Sequence, residues 1–525
     1  SALARELATT RRGGWSAGRS ARIALENAAP ARKLILWIAR KQVLKETHGN
    51  YPAPLVALDT IDATLGASTI DDALALEADA VGRLITTDVS KNLLHVFFLM
   101  EAAKKKAPAA EPREVERVAV LGAGTMGGGI AQLLAYRGLY ARLKDIDPAA
   151  LSLGLRHARE LFDGLRARRR LEGREATQAM ERISPTLDYS GFGAVDLVVE
   201  AVVERLDVKK SVLRETEAAV DAETVMTTNT SSLSVSEMQR ALERPDRFCG
   251  MHFFNPVHRM PLVEVVRGER SSDVTLATVF ALARRLEKTP VIVADGPGFL
   301  VNRLLAPYLN EAGWLLADGA SIEAIDNALT GFGMPMGPLR LLDEVGLDVA
   351  RHAGETMHDA FGERMRPAPP LVALDASDRR GRKNGRGFYR YEKDRADGAD
   401  DTIYAELQPT VPPTRAEISA QEIRDRTLLA MVNEAARVLE DGIVGTPDDV
   451  DLAMIAGTGF PPFRGGLLRW ADARGLVPIL ELLDELQRRF GPRFEPAPLL
   501  REHASAGDGF YRRPNVAPAS APDSP

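Results

Sequence analysis

The stretch Arg117–Asp145, RVAVLGAGTMGGGIAQLLAYRGLYARLKD, decides how the rest of the chain is read. Arg117–Leu121 has the continuous apolar texture of a buried strand and runs straight into Gly122-Ala123-Gly124-Thr125-Met126-Gly127. A helical segment follows to about Tyr136, and Gly138 ends it. A second apolar strand, Ala141–Asp145, then finishes on an acid 23 residues after Gly122. A bare G-x-G-x-x-G carries little weight. One that leaves a strand, opens a helix and is answered by an acid at the end of the next strand is a dinucleotide fingerprint. In that geometry Gly122 permits the tight turn, Gly124 lets backbone approach a pyrophosphate, and Gly127 allows helix and strand to pack closely. The helix N-terminus offers unpaired N–H groups to the phosphates. Asp145 is placed to accept from the adenosine ribose and to repel a 2′-phosphate, which favours NAD over NADP. Lys144 argues mildly the other way, and Asp147 is the substitute if the strand ends two residues later.

Downstream, short apolar strands keep alternating with helices, the pattern of an open parallel sheet. The strands are read at Asp196–Val199, Val225–Asn229, Phe248–Phe254, Leu262–Val266 and Pro290–Ala294. Thr228-Asn229-Thr230-Ser231-Ser232-Leu233 starts at a strand end, where open α/β sheets bind ligands. Ser231 and Ser232 read equally as helix caps or as ligand donors. Lys209 and Lys210 read as surface charges or as anion contacts, and the sequence does not choose. Met251–Glu264, MHFFNPVHRMPLVE, holds His252 and Glu264 on two apolar strands with Asn255-Pro256 able to reverse the chain between them. Such a hairpin brings an imidazole and a carboxylate together in apolar surroundings, the arrangement a general base requires. Taken alone, a structural His and Glu explain the same letters; His258 is the competing histidine.

At Asp295-Gly296-Pro297-Gly298 the α/β texture stops. Residues 299–319 read as one long helix carrying Asn302 in its first turn and Pro307 inside it. The remainder is helical and repeats itself. Asn310-Glu311-Ala312 with Asp318-Gly319 recurs as Asn433-Glu434-Ala435 with Asp441-Gly442, Gly331–Pro335 answers to Gly457–Pro461, and Gly387-Phe388-Tyr389 to Gly509-Phe510-Tyr511. The charged, then Pro-containing stretch Lys393–Pro413 reads as the linker between two related units, and the Pro/Ala/Ser-rich tail as disordered.

Upstream, residues 1–110 read as helical. Leu34, Trp37, Ile38 and Val43, ringed by Lys33, Arg40, Lys41 and Lys45, suggest an amphipathic helix that either packs on its own protein, the reading favoured, or meets a membrane surface or partner. Asn50–Pro54 breaks the pattern, and Lys104–Pro112 reads as a solvated linker. The Arg/Ser-rich Arg11–Arg22 faintly resembles a transit peptide. The expected domains are therefore a helical region over 1–112, a Rossmann-type domain over 113–296, helical domains over 297–395 and 414–514, and a tail over 515–525. Across 525 residues, 45% hydrophobic and 27% charged composition is ordinary globular material. A net charge of −6 argues against a nucleic-acid protein, and no apolar run reaches membrane-spanning length. The single cysteine, Cys249, excludes an internal disulfide framework and reads as a small buried apolar residue.

Several of these motifs belong together. Gly122–Gly127, Asn229–Ser232, Met251–Pro256, Pro297-Gly298-Phe299-Leu300-Val301-Asn302-Arg303 and Gly385–Tyr389 resemble those of the NAD-dependent 3-hydroxyacyl-CoA dehydrogenases. The doubled helical unit and Phe460-Pro461-Pro462-Phe463-Arg464-Gly465-Gly466 resemble, more closely still, the dehydrogenase half of the bacterial multifunctional fatty-acid oxidation α subunit. The resemblance implies a Rossmann-type NAD-binding domain followed by two related all-α dehydrogenase C-terminal domains. It implies NAD-dependent oxidation of (S)-3-hydroxyacyl-CoA to 3-oxoacyl-CoA in fatty-acid β-oxidation, with no metal. His252 then stands for the catalytic base, Glu264 for its paired carboxylate, and Ser231 and Asn302 for the polar residues beside substrate and nicotinamide. Met126, Asp145, Val203, Glu204, Lys209, Ser231 and Asn255 join Gly122, Gly124 and Gly127 where the family contacts NAD. Trp470 stands where bacterial chains often carry a tyrosine touching substrate.

Those multifunctional chains carry a crotonase-fold hydratase domain before the linker helix. The hundred or so helical residues upstream of the fingerprint leave no room for that core, so hydratase activity is not expected of this chain. The implied setting is cytoplasmic, with an acyl-CoA substrate and either a homodimer or a complex with a thiolase subunit. Two rival readings stay open: a non-catalytic NAD-binding, crystallin-like structural protein, and a scaffold subunit of a thiolase-containing complex.

Overall fold

The computed structural model describes residues 29–392 and 395–511, so the readings made on Arg11–Arg22 and on the tail lie outside the described residues. The chain divides into two compact units, residues 1–95 and 96–525, and the division falls inside the helix Asp88–Lys105 rather than at the linker near residue 112.

The first unit is built from helices Ala29–Thr47, Pro52–Thr64 and Ile70–Ile85. The first of them packs on the second, as the favoured reading has it, with Arg32 Nε 2.8 Å from Asp62 Oδ1. Among the described residues, Leu34, Trp37 and Ile38 on this helix are nevertheless each more than half exposed. The spacing gives the reason: at about 100° per residue, Leu34 and Ile38 share a side while Val43 falls roughly opposite. The apolar residues therefore do not form one stripe. Among the described residues no helix is long and apolar enough to cross a membrane.

The second unit carries an eight-stranded sheet in the order β3-β2-β1-β4-β5-β6-β7-β8. These are Arg117–Leu121 (β1), Tyr140–Lys144 (β2), Ile183–Thr186 (β3), Leu197–Glu200 (β4), Val225–Thr228 (β5), Phe248–Phe253 (β6), Leu262–Arg267 (β7) and Thr289–Ala294 (β8). All neighbours are parallel except β6 and β7. Parallel strands are covered on both faces, and β4, β5 and β6 are accordingly buried along their whole length. The one strand of this sheet not foreseen is β3, ISPT, whose Pro185 lowers its strand signal; Pro is tolerated because β3 is an edge strand paired only with β2. Strand order reverses about β1, so the ends of β1, β2 and β4 meet at the Gly-rich loop, the usual ligand crevice of such sheets.

Beyond β8 the helix Val301–Ala317 begins the first helical unit, and Ala420–Glu440 begins its repeat. The two helices exchange charges symmetrically. Arg303 donates to Glu434 (2.7 Å) and Asp441 (2.6 Å), while Arg426 donates to Glu311 (2.7 Å) and lies 2.7 Å from Asp318. Each unit also repeats a buried carboxylate clasp. Asp326 accepts from Leu339 N, Arg340 N and the Tyr389 hydroxyl, and Asp451 from Leu468 N, Arg469 N and the Tyr511 hydroxyl. The repeat read from the sequence is thus a pair of units joined about a pseudo-two-fold relation.

The expected linker Lys393–Pro413 is in large part folded. Arg395–Ala399 pairs antiparallel with Tyr389–Glu392, and fully buried Arg379 draws the following segment in through Asp400 (2.8 Å), Thr402 (2.7 Å) and Glu406 (2.8 Å). A charged stretch reads as solvated unless its partner is known, and Arg379 gives no local sign of being one.

Candidate active site

The fingerprint loop is shaped for a dinucleotide. Gly122 has φ +90°, and a Cβ there would collide with Ala201 O; a Cβ on Gly127 would collide with Gly122 O. At Gly124 an added Cβ would meet nothing within 4 Å, so the space over this residue is open to a pyrophosphate. The helix Thr125–Tyr136 starts at Gly124 without a side-chain cap, which leaves its first N–H groups for an anion. Met126 is half-buried on the same turn.

Asp145 follows β2 directly. Its Oδ2 accepts from Ala123 N in the Gly-rich loop (2.7 Å), and its Oδ1 from Asp147 N (3.1 Å). Asp147 caps the helix Pro148–Ala167 by accepting from Ala149 N, and β2 ends at Lys144, directly before Asp145. Lys144 is buried, with its ammonium 4.3 Å from the centre of the Tyr189 ring, so it gives no support to a 2′-phosphate. Val203 after β4 and Ile146 after β2 are exposed apolar side chains at strand ends on either side of β1. Ile146, at 85% exposure, was not singled out from the sequence. The available signal was an apolar residue immediately following the acid that ends the strand.

His252 and Glu264 face each other across the antiparallel β6–β7 pair in direct register. The imidazole Nδ1 lies 2.7 Å from Glu264 Oε2, and both side chains are buried. The other carboxylate oxygen, Oε1, accepts from Val301 N (2.9 Å) and Leu300 N (3.3 Å). Glu264 therefore supplies the cap that the helix Val301–Ala317 lacks locally. A carboxylate that only accepts at Nδ1 requires the ring to carry its proton there, leaving Nε2 with the free lone pair. Phe254 and Phe299 flank the ring at centroid distances of 4.5 and 5.7 Å. His258 is on the exposed turn between the strands; partial burial and then Arg259, His157, Lys288 and Arg168 hold it below the ordinary imidazole range. The Asn255-Pro256 peptide bond of this turn is cis, and Asn255 is exposed.

The same helix start presents Asn302, whose Nδ2 donates to Ser231 O (3.1 Å). Ser231 is exposed, and its N–H donates to Glu204 (2.9 Å). Ser231 and Ser232 are not helix caps; Ser234 fills that place for Val235–Gln239. Burial works against the Glu204 carboxylate, yet Lys209, Thr230 and the Ser231 N–H together hold it below its ordinary range. Lys209 is no surface charge: it is fully buried against Glu200. Trp470 packs edge-on against Phe332 (5.3 Å), a core contact between the two helical units. Cys249 is buried, and burial pushes its thiol far up, as suits a small apolar core residue.

A dinucleotide cradle at the strand ends, beside a buried imidazole–carboxylate pair, defines a nicotinamide-dependent oxidoreductase of the open α/β class. Comparison with known proteins identifies the family. The NAD binding domain of 3-hydroxyacyl-CoA dehydrogenase matches residues 117–296, and the C-terminal domain of that family matches twice, over residues 298–391 and 423–512. The chain belongs to the NAD-dependent 3-hydroxyacyl-CoA dehydrogenases. Among solved structures it is similar to 3-hydroxybutyryl-CoA dehydrogenase from Escherichia coli K12, at 29% identity over 75% of this chain and 99% of that one, with a TM-score of 0.67. It is also similar to (S)-3-hydroxybutyryl-CoA dehydrogenase from Ralstonia eutropha, at 40% identity over 53% of this chain and 100% of that one, with a TM-score of 0.52. The dehydrogenase part of multifunctional enzyme 1 from C. elegans is 25% identical over 79% of this chain and 99% of that one, with a TM-score of 0.58.

Proposed function

We propose that the chain oxidises (S)-3-hydroxyacyl-CoA to 3-oxoacyl-CoA, as a step of fatty-acid β-oxidation, with His252 as general base. The observation that carries this reading is the His252–Glu264 pair, buried, in register, and joined through Leu300 and Val301 to the helix that presents Asn302. Bound NAD supplies the hydride acceptor. His252 Nε2 takes the proton from the hydroxyl oxygen on C3 of the substrate, while the hydrogen on C3 leaves as hydride for that acceptor. Glu264 holds the Nδ1–H tautomer and balances the imidazolium charge that follows. Asn302 and Ser231 hydrogen-bond the oxygen as it becomes a ketone. On the cofactor side, Gly122, Gly124, Met126 and Gly127 receive the pyrophosphate, Asp145 the adenosine ribose, and Val203 with Ile146 the adenine. Glu204 and Asn255 face the nicotinamide half, with Lys209 acting from behind Glu204. Trp470 is assigned a packing role.

A non-catalytic, crystallin-like role on this fold would place no demand on a base, its orienting carboxylate and Asn302 together. The thiolase-scaffold reading has one observation in its favour, the exposed Leu34, Trp37 and Ile38 beside Lys33 and Lys41, and co-purification of a thiolase chain is its test. For the dehydrogenase reading the test is a series of (S)-3-hydroxyacyl-CoA substrates of increasing chain length, assayed for NADH and NADPH formation. NADH formation with at least one member is the expected outcome. Binding of NAD without turnover of any member would favour the structural protein instead.

A further inference from the structure

Two charges with no solvent access lie behind the site and take no part in the proton transfer described above. Glu200, the last residue of β4, and Lys209, on the helix Leu206–Ala219, are both fully buried. Lys209 Nζ donates to Glu200 Oε1 (2.8 Å) and Oε2 (3.1 Å). Glu200 Oε1 also accepts from Val202 N (2.7 Å), Oε2 from the Thr228 hydroxyl (2.6 Å), and its backbone carbonyl from Asn229 N (2.7 Å). One carboxylate thus ties the turn after β4 to the loop after β5.

The connections continue towards the substrate side. Lys209 Nζ lies 3.3 Å from Glu204 Oε2, and Glu204 Oε1 accepts from the Thr230 hydroxyl (2.6 Å) and from Ser231 N (2.9 Å). Ser231 O in turn accepts from Asn302 Nδ2 (3.1 Å). Asn229 Oδ1 accepts from Phe253 N (2.8 Å), directly after His252. Every polar link in this series is made, so the loop Thr228–Ser231 is held at four successive residues.

A buried ion pair is weak evidence for stability, because apolar replacements of the whole pair are often neutral or stabilising. What this pair does achieve is geometric. It brings two otherwise independent strand-end loops to one fixed separation, and catalytic groups lose effectiveness steeply when displaced by about 1 Å. We propose that Glu200 is a positioning residue for the dehydrogenase reaction, acting with Lys209 through Glu204 and the Thr228–Ser231 loop to set Ser231 and Asn302 at the substrate oxygen. This rests on the reading of Ser231 and Asn302 as substrate-side residues.

The test compares Glu200→Gln, Thr228→Val and Asn302→Ala in the full chain. It measures kcat and KM for (S)-3-hydroxybutyryl-CoA, NADH affinity by fluorescence titration, and thermal stability. Glu200→Gln keeps the shape and removes the charge; its kcat/KM is expected to fall at least tenfold, by more than any loss of NADH affinity. Thr228→Val, an isosteric change that leaves the ion pair intact, is expected to show a smaller loss of the same kind. If Glu200→Gln does not fold, the Thr228→Val result decides alone. Wild-type kinetics in the variants, whatever their melting temperature, or a loss confined to NADH affinity, would overturn the proposal. Wild-type kinetics in Asn302→Ala would instead remove the substrate-side reading on which it rests.

Discussion

His252 on β6 and Glu264 on β7 are register partners in the only antiparallel pair of the eight-stranded sheet, with Nδ1 and Oε2 2.7 Å apart. Directly opposed residues on such a pair are held close by the backbone itself, so the dyad needs no loop to assemble it. Glu264 is at the same time the cap of the helix that carries Asn302. One carboxylate therefore fixes the tautomer of the His252 imidazole and the start of the helix that presents Asn302.

Glu264→Gln tests that double role. The amide oxygen can still accept from Val301 N, but its NH2 group must face His252 Nδ1, which forces the ring proton onto Nε2 and removes the base. The expected result is a kcat lower by roughly 10²-fold or more with little change in KM for NAD, read from steady-state kinetics. Wild-type turnover in this variant would contradict the tautomer argument.

Asp145 joins the Gly-rich loop to the end of β2 through Ala123 N, and under the proposed function its charge meets the ribose hydroxyls. In Asp145→Asn the hydrogen bond to Ala123 is retained and the repulsion of a 2′-phosphate is lost. The ratio of kcat/KM for NAD to that for NADP is expected to fall by about tenfold, a change equivalent to about 1.4 kcal/mol. An unchanged ratio would mean that cofactor choice is set elsewhere.

The buried clasps of the helical repeat make stability depend on pH. Burial raises the Asp451 carboxyl to about 7 from an ordinary value of 3.8, against the bonds from Leu468 N, Tyr511 and Arg469 N. Asp326, and the buried Asp343 that accepts from Phe388 N, Tyr389 N and the Tyr391 hydroxyl, are raised to about 6 for the same reason. A carboxyl whose folded-state value is raised contributes stability below its unfolded value, and that contribution is lost as pH climbs through the folded one. The melting-temperature advantage of wild type over Asp451→Asn is therefore expected to shrink between pH 4.5 and pH 7.5. An advantage that grows over this range would contradict the assignment.

The parts of this architecture legible in the sequence are those carried by local pattern. The fingerprint Gly122–Gly127, the strand carrying His252 and the strand carrying Glu264 each declare themselves within a few residues, and the repeat appears through Asn310 and Asn433. What stayed hidden depends on partners far along the chain. Arg303 meets Glu434 and Arg426 meets Glu311 across the two helical units, and nothing near either arginine marks it as buried. The sequence does not choose between surface charge and anion contact for Lys209 until Glu200 is seen beneath it, and Arg379 helps to fold what reads as a linker. β3 was hidden for a different reason, since a proline in a four-residue edge strand removes most of the local signal.

The most direct measurement is the initial rate of NADH formation from (S)-3-hydroxybutyryl-CoA and NAD by wild type, His252→Gln and His258→Gln. Measurable turnover is expected of wild type, a rate about 10²–10⁴-fold lower of His252→Gln, and near-normal turnover of His258→Gln. Near-normal turnover by His252→Gln, with His258→Gln inactive, would contradict the assignment of the base to His252.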